Sequence, residues 1–426
     1  MSFINAIIPS LIVSLLCLTK RYAMIQEFQV SNFYSIREPI SINFLPSSDD
    51  KMLDYYTHEV KPGLRLLKLG IIYGANASGK TTVLEAISFF RDFMVKRPDD
   101  KLKDMGFIPF MLDNYSRDKN TSMRMIFFID CEKYELKCEC NEKVVLSEQL
   151  TVYTSSRPTL LYQRSYIPEM GKPNITFGSK AGLSKKSQNA IEGNTTNNCS
   201  VMAAVGASNI ESTRVDKVFQ YLSQNVLEML YPRMTVMEYI KKQLKNPSQK
   251  EIKSFLLQVL KASDFNIVDF YRSKKDELES EEDLIFKHTG DGGEFTLNEE
   301  LESAGTKRFL GMATILYKLI HQNCFFPVDG IETSIHYELF SYFIKVFLAN
   351  SEGSSQLLMT THDINLLDEV FIRRDVVWFT VKNESGATSI KRLSASGLHR
   401  TMSVYNAYRQ GKLVKLPFLG SIFLEN

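Results

Sequence analysis

Gly74-Ala-Asn-Ala-Ser-Gly79-Lys80-Thr81-Thr82 is the stretch that decides how this chain reads. It fits the spacing of a phosphate-binding loop, G-x-x-x-x-G-K-[ST]. An apolar run from Leu66 to Tyr73 predicts a buried strand entering the loop. Val83, Leu84, Ile87 and Phe90 predict a helix leaving it. Strand, glycine loop and helix in that order aim successive backbone N–H groups and a helix N-terminus at an anion. Gly74, Asn76, Ala77, Ser78, Gly79, Lys80, Thr81 and Thr82 are therefore the expected contacts to a nucleoside triphosphate. Lys80 is expected to reach the outer phosphates, and the Thr81 hydroxyl to ligate Mg²⁺.

Composition frames the rest. A chain of 426 residues has room for one large domain or two ordinary ones. With 44% apolar and 23% charged residues, it has the balance of a globular protein. A formal net charge of +2 gives no general pull toward nucleic acid, so any basic surface is local. The six cysteines show no CxxC spacing, and Cys138-x-Cys140 is a poor zinc element. They read as free thiols of a reducing, cytoplasmic compartment. Residues 1–23 read as an N-terminal extension upstream of a start at Met24. Its apolar run, Ile7 to Leu18, is too short to span a bilayer. Lys20 and Arg21 follow that run instead of preceding it, the wrong order for a secretory signal.

The pattern divides the chain into 24–180, 181–264 and 265–426. Residues 24–45 alternate like a hairpin, and 46–65 read as a polar loop. The strand-rich stretch 106–178 predicts an antiparallel sheet containing Met123–Ile129, Tyr134–Cys140 and Leu150–Thr154. Ser, Asn, Gly and Lys in 180–212 predict a flexible crossing. A helical insert follows, with Val215 to Leu230 at one helical spacing and Ile252 to Leu260 at another. From 301 to 382 helix and strand alternate, as in the second half of a parallel α/β core.

That second half carries three short elements. Glu302-Ser303-Ala304-Gly305-Thr306 precedes a strong helix, and small residues at a helix start leave N–H groups free for an anion. Asp329 closes the apolar run Cys324–Val328, where a metal-coordinating carboxylate belongs. A strand ending at Thr360 runs into Thr361-His362-Asp363. Each is weak alone; their order and spacing are far more specific.

Together these runs resemble the ABC-type ATPases. Within them they resemble most the bacterial stand-alone AAA-type ATP-binding proteins related to the overcoming-lysogenisation-defect (OLD) ATPases. Phe28-x-Val-Ser-Asn-Phe33-x-Ser-Ile and Arg373-Arg-Asp-Val-Val-Trp378-Phe add to the likeness, which covers nearly everything from Met24 onward. The resemblance implies an α/β P-loop NTPase of ABC-ATPase type: a mixed sheet core, an antiparallel β lobe and a helical insert. It implies a head-to-tail dimer in which Ser303 and Gly305 of one subunit close on the γ-phosphate held by Lys80 of the other. Asp329 would help hold Mg²⁺, and His362 would contact the γ-phosphate. The implied cofactors are ATP and Mg²⁺. The implied partners are a second copy and an operon-encoded effector, such as a nuclease or toxin of phage defence.

One departure stands out. The family pattern has a glutamate directly after the metal-site aspartate, where it activates the attacking water. This chain has Gly330 there. Glu332 is the candidate substitute, but two residues along an extended segment displace it by roughly 6–7 Å. Losing a positioned base costs roughly 10²–10⁴-fold in rate. ATP hydrolysis is therefore expected to be slow or absent, and a non-hydrolysing nucleotide-binding scaffold is the alternative. A DNA-repair head of the SMC type and a transport ATPase are further alternatives; the lack of heptad arms argues against the first. Pro327 also falls inside what should be a buried parallel strand. The lysines between 241 and 261 are a candidate nucleic-acid face, with a solvated helix face as the preferred reading.

Overall fold

The computed structural model describes residues 22–155, 157–210, 213–231, 236–245, 248–273, 283–333, 335–399 and 401–414. The N-terminal extension thus lies outside the described residues as far as position 21. β1 (Ala23–Ser31) and β2 (Ile40–Asn43) form the expected hairpin. Residues 46–65 are not a plain polar loop. They hold one helical turn, Leu53–Tyr56, and β3 (Thr57–Lys61), which pairs with β4 (Leu64–Leu67). The apolar run 66–73 is accordingly two strands. The chain changes sheets at buried Lys68, whose N–H meets the Tyr56 carbonyl at 2.8 Å while its own carbonyl accepts Leu357 N at 2.8 Å. β5 (Leu69–Tyr73) starts beyond it and is buried at every position, as a parallel strand covered on both faces must be.

The helix Lys80–Val95 follows the loop and buries Val83, Leu84, Ile87 and Phe90. β6 (Thr121–Ile129), β7 (Glu132–Cys140), β8 (Val145–Tyr153), β9 (Thr159–Ile167) and β10 (Lys172–Phe177) then extend the hairpin. The result is a seven-stranded antiparallel sheet in the order β10-β9-β8-β7-β6-β1-β2. Cys138 and Cys140, two apart on β7, are buried free thiols, as are Cys199 and Cys324. Cys131 is disulfide-bonded, which corrects the reading of every cysteine as free.

Residues 180–210 are largely helical where a flexible crossing was expected over 180–212; 211 and 212 lie outside the described residues. They form helices Lys185–Asn194 and Val201–Gly206, each capped by a serine. Buried Glu148 on β8 accepts from Val201 N at 2.8 Å and from the Tyr162 hydroxyl at 2.7 Å. Buried Arg164 on β9 donates to the carbonyls of Thr196, Asn197 and Cys199. The serines that suggested looseness are helix caps, and the carbonyls before the second helix are satisfied by one guanidinium. A second correction concerns the 215–230 pattern. Helix Arg214–Gln220 passes into a π-helical turn, Tyr221–Asn225, and stops. There Val226 bridges to Phe325, and its carbonyl accepts Arg91 Nε at 3.0 Å.

Residues 230–322 and 330–352 make a separate compact unit. It contains helices Val236–Gln243 and Gln249–Ala262 and a three-stranded sheet, β11 (Ile267–Arg272), β12 (Leu284–Gly290) and β13 (Gly293–Asn298). Helices Ala304–His321 and Tyr337–Asn350 complete it. Leu256, Leu260, Phe270, Phe286 and Phe309 share its core. Of the six lysines between 241 and 261, Lys241 is paired with Glu299 at 2.6 Å and Lys253 with Asp269 at 2.6 Å. Those two are committed within the unit, as a structural helix face requires.

The first unit resumes with β14 (Phe325–Val328), β15 (Gln356–Thr360), β16 (Val377–Lys382) and β17 (Thr388–Arg392). The sheet order is β14-β15-β5-β16-β17; the first four strands run parallel and β17 antiparallel. β14 lies at the sheet's edge, so Pro327 removes no bond from a central ladder. Gln356 ties this sheet to the antiparallel lobe: its amide reaches the Ile25 carbonyl at 2.9 Å and the Leu67 carbonyl at 3.0 Å, and its Oε1 accepts Ile25 N at 2.6 Å. The fold is the expected mixed α/β arrangement with an antiparallel lobe. Among the described residues no helix is long and apolar enough to cross a membrane.

Arg373 and Asp375 form a buried ion pair at 2.6 Å, with each side chain about 1% exposed. The Asp375 carboxylate also accepts the N–H and hydroxyl of Ser47, both at 2.8 Å. Burial pushes its pKa up, but the Arg373 and Ser47 bonds outweigh that and hold it below the usual aspartate value. A depressed folded pKa stabilises the fold above the ordinary aspartate pKa, and that contribution fades as pH falls through the folded value. Arg373→Met should lower the unfolding free energy at pH 7 by about 3–5 kcal/mol, since it strands a buried carboxylate. Urea unfolding followed by circular dichroism checks both the drop and the acid-side loss in the unsubstituted chain.

Candidate functional site

Parallel pairing brings the C-terminal ends of β5, β14 and β15 to one edge of the sheet, where α/β proteins bind ligands. The loop after β5 turns through Ala77 at φ +60° and Gly79 at φ +99°. Both glycines of the motif are required by contact. A Cβ on Gly74 would lie 2.4 Å from the hydroxyls of Ser78 and Thr380 and 2.7 Å from the Thr380 carbonyl. A Cβ on Gly79 would lie 2.2 Å from Thr388 Oγ1. Asn76 and Ala77 are exposed on the loop, and Ser78 is buried beneath it.

Lys80, 7% exposed, folds its ammonium over the loop and donates to the carbonyls of Gly74 at 2.9 Å and Ala75 at 3.0 Å. The cation is thus held within the loop's own span. Thr81 Oγ1 donates to Asp329 Oδ2 at 3.0 Å, and Thr360 Oγ1 donates to Asp329 Oδ1 at 2.5 Å. One carboxylate and two hydroxyls converge at the start of the helix. Such hard oxygen donors suit Mg²⁺, and the glycine cradle with its lysine suits a polyphosphate. Thr82 Oγ1 lies 3.3 Å from Ser35 Oγ. Glu85, one turn along the same helix, has its pKa raised by burial and then by the charge of Asp329. His362 stands exposed two residues beyond the last residue of β15.

The remaining candidates belong to the second unit. Ser303 caps helix Ala304–His321, its Oγ accepting Thr306 N at 2.9 Å, with Gly305 in the first turn. Gly330 has φ +54°, and its carbonyl accepts Arg308 Nη2 at 2.7 Å and Thr333 Oγ1 at 2.8 Å. Glu332 lies near enough to Arg308 to oppose the lowering of that guanidinium's pKa by burial. Sequence reasoning did not assign Thr360, Ser35, Thr380 or Thr388. Thr360 sits inside the quoted run that ends in His362, and its place at a strand's C-terminal end was the available signal. The other three are single hydroxyls with no motif spacing.

A strand-loop-helix of this geometry, with a lysine over the loop and an aspartate against the following threonine, defines a P-loop ATPase domain of the AAA/ABC type. The sequence profile of the family described as "AAA domain, putative AbiEii toxin, Type IV TA system" matches residues 70–193 and 215–368. The chain belongs to that family, whose P-loop ATPase members bind nucleotide, usually with Mg²⁺. Two solved structures show a distant likeness. The SMC head domain from Thermotoga maritima aligns with a TM-score of 0.39 and 11% identity over 87% of this chain and 98% of its own. SmcHead bound to the C-winged helix domain of ScpA aligns at 0.45 and 10% identity, over 90% and 99%. No curated protein matches the chain.

Gly74→Ala puts its methyl against the Thr380 carbonyl, which is backbone and cannot rotate away. Mg-ATP affinity should fall roughly tenfold or more, from the loss of one or two loop contacts. Isothermal titration calorimetry checks it, with a near-unchanged far-UV spectrum expected.

Proposed function

We propose that this chain is an ATP-binding ABC-type ATPase that closes a head-to-tail dimer on Mg-ATP and thereby regulates a separate effector. The convergence of Lys80, Thr81 and Asp329 on one loop carries the reading. In it Gly74 to Thr82 hold the triphosphate, Lys80 neutralises the outer phosphates, and Thr81 and Asp329 hold Mg²⁺. Ser303 and Gly305 of a second copy meet the γ-phosphate through the free N–H groups of their helix start. His362, exposed beyond β15, contacts the same phosphate. The effector is a nuclease or toxin acting in phage defence or DNA processing in the cytoplasm. The family description places a "putative AbiEii toxin" of a toxin–antitoxin system within the matched AAA domain family itself.

Gly330 favours a second form of this reading, an ATP-driven clamp with little turnover. Without a carboxylate there, and with Glu332 beside Arg308, no base is supplied next to Asp329 along the chain. Assembly survives that loss, because binding and closure use the loop, the metal site and the serine-capped helix.

Steady-state phosphate release with Mg-ATP separates the forms. The unsubstituted chain should turn over within about threefold of Lys80→Ala, and Gly330→Glu should raise the rate roughly tenfold or more, given the 10²–10⁴-fold contribution of a positioned base. Turnover far above Lys80→Ala without the added glutamate would contradict the clamp form and restore an ordinary ATPase.

A further inference from the structure

The phosphate loop is braced by hydroxyls that belong neither to its motif nor to its helix. Thr388, the first residue of β17, donates from Oγ1 to the Ser78 carbonyl at 3.1 Å and lies 2.8 Å from Ser35 Oγ. Thr388 N donates to the Ser35 carbonyl at 2.7 Å, so backbone and side chain both bind β17 to the turn between β1 and β2. That turn is itself pinned. Buried Asn32 donates to the carbonyls of Ser116 at 2.9 Å and Lys119 at 2.8 Å, and accepts Phe110 N at 3.0 Å. Across the loop, Thr380 of β16 meets Ser78 Oγ at 2.6 Å and donates to the Tyr73 carbonyl at 3.2 Å. Thr380 and Thr388 are both buried, so water does not compete for these bonds.

The Ser78 carbonyl matters because of what shares its plane. A trans peptide is rigid and planar, with its N–H opposite its C=O. Holding the Ser78 oxygen toward Thr388 therefore turns the Gly79 N–H the other way. That N–H is one of the donors a phosphate loop offers to its ligand. Thr388 also occupies the space where a Gly79 Cβ would go, at 2.2 Å from Oγ1 and 2.6 Å from Cγ2. Gly79, at φ +99°, is seated against the residue that sets its peptide plane.

We propose that Thr388, braced by Ser35, is a positioning residue for nucleotide binding: it fixes the Ser78–Gly79 peptide so that the Gly79 N–H faces the phosphates. The inference rests on the reading of this loop as the ATP site. Its force is local and polar, so the hydroxyl is what counts, while the methyl group serves packing.

The test compares the full chain with Thr388→Val, Thr388→Ser, Ser35→Ala and Lys80→Ala, by Mg-ATP titration calorimetry and by thermal unfolding with and without Mg-ATP. Thr388→Val should bind roughly tenfold more weakly and lose most of its ATP-induced rise in Tm. Thr388→Ser should stay within about threefold of the unsubstituted chain, and Ser35→Ala should fall between the two. Unchanged affinity in Thr388→Val, or equal loss in Thr388→Ser, overturns the positioning role. Should Thr388→Val fail to fold, full affinity in Ser35→Ala together with a weakened Thr388→Ser overturns it as well. Failure of the unsubstituted chain to bind Mg-ATP, or binding by Lys80→Ala at full strength, overturns the ATP-site reading and this inference with it.

Discussion

Parallel pairing of β14 with β15, and of β15 with β5, holds Asp329, Thr360 and the loop after Tyr73 at the same end of one sheet. Thr81 of the loop's helix lies 248 positions from Asp329, and Thr360 lies 31 beyond it, so no local preference would bring the three together. The register does so: Val328 faces Met359, and Thr360 faces Ile72. Once it is set, the Asp329 carboxylate falls between the hydroxyls of Thr81 and Thr360. A one-residue slip in any of the three strands would turn alternate side chains to the opposite face and dissolve the cluster. Burial of β5 and β15 at every position locks that register.

The loop and its partners were legible because each is governed by local chemistry. Glycines at tight spacing, a lysine and a threonine at a helix start, and an aspartate ending an apolar run all announce themselves by residue type. Elements set by tertiary capping were not legible in the same way. Ser184 and Ser200 look like linker, yet each caps a helix, and Glu148 and Arg164 hold the backbone at the start of the second. The break at Lys68 is similar: an unbroken apolar run hid a change of sheet that depends on Tyr56 and Leu357. Helical spacing through 215–230 misled because Arg91 and Phe325 draw the chain away after Asn225. The hydroxyl brace on Ser78 was invisible for a related reason: Thr380 lies 302 positions beyond Ser78, and Ser35 lies 353 positions before Thr388.

The loop is prearranged by this surrounding structure. Its glycines are seated against threonine side chains, its buried serine is bonded on two sides, and its lysine already spans the carbonyls at its base. A preorganised anion site needs little rearrangement to bind, so affinity is spent on the ligand instead of on ordering the loop. This is how a chain with Gly330 in place of a general base would keep nucleotide binding intact. Under the proposed function, binding would depend on the braced loop and turnover on a carboxylate next to Asp329, where the chain has Gly330.

The measurement that bears most directly on this account is the Mg²⁺ dependence of ATP binding, compared between the full chain and Asp329→Asn. The account predicts one ATP per chain and affinity that rises with Mg²⁺, with the Mg²⁺ effect largely gone in Asp329→Asn. Binding that ignores Mg²⁺ in the unsubstituted chain, or a Mg²⁺ effect undiminished in Asp329→Asn, would contradict it.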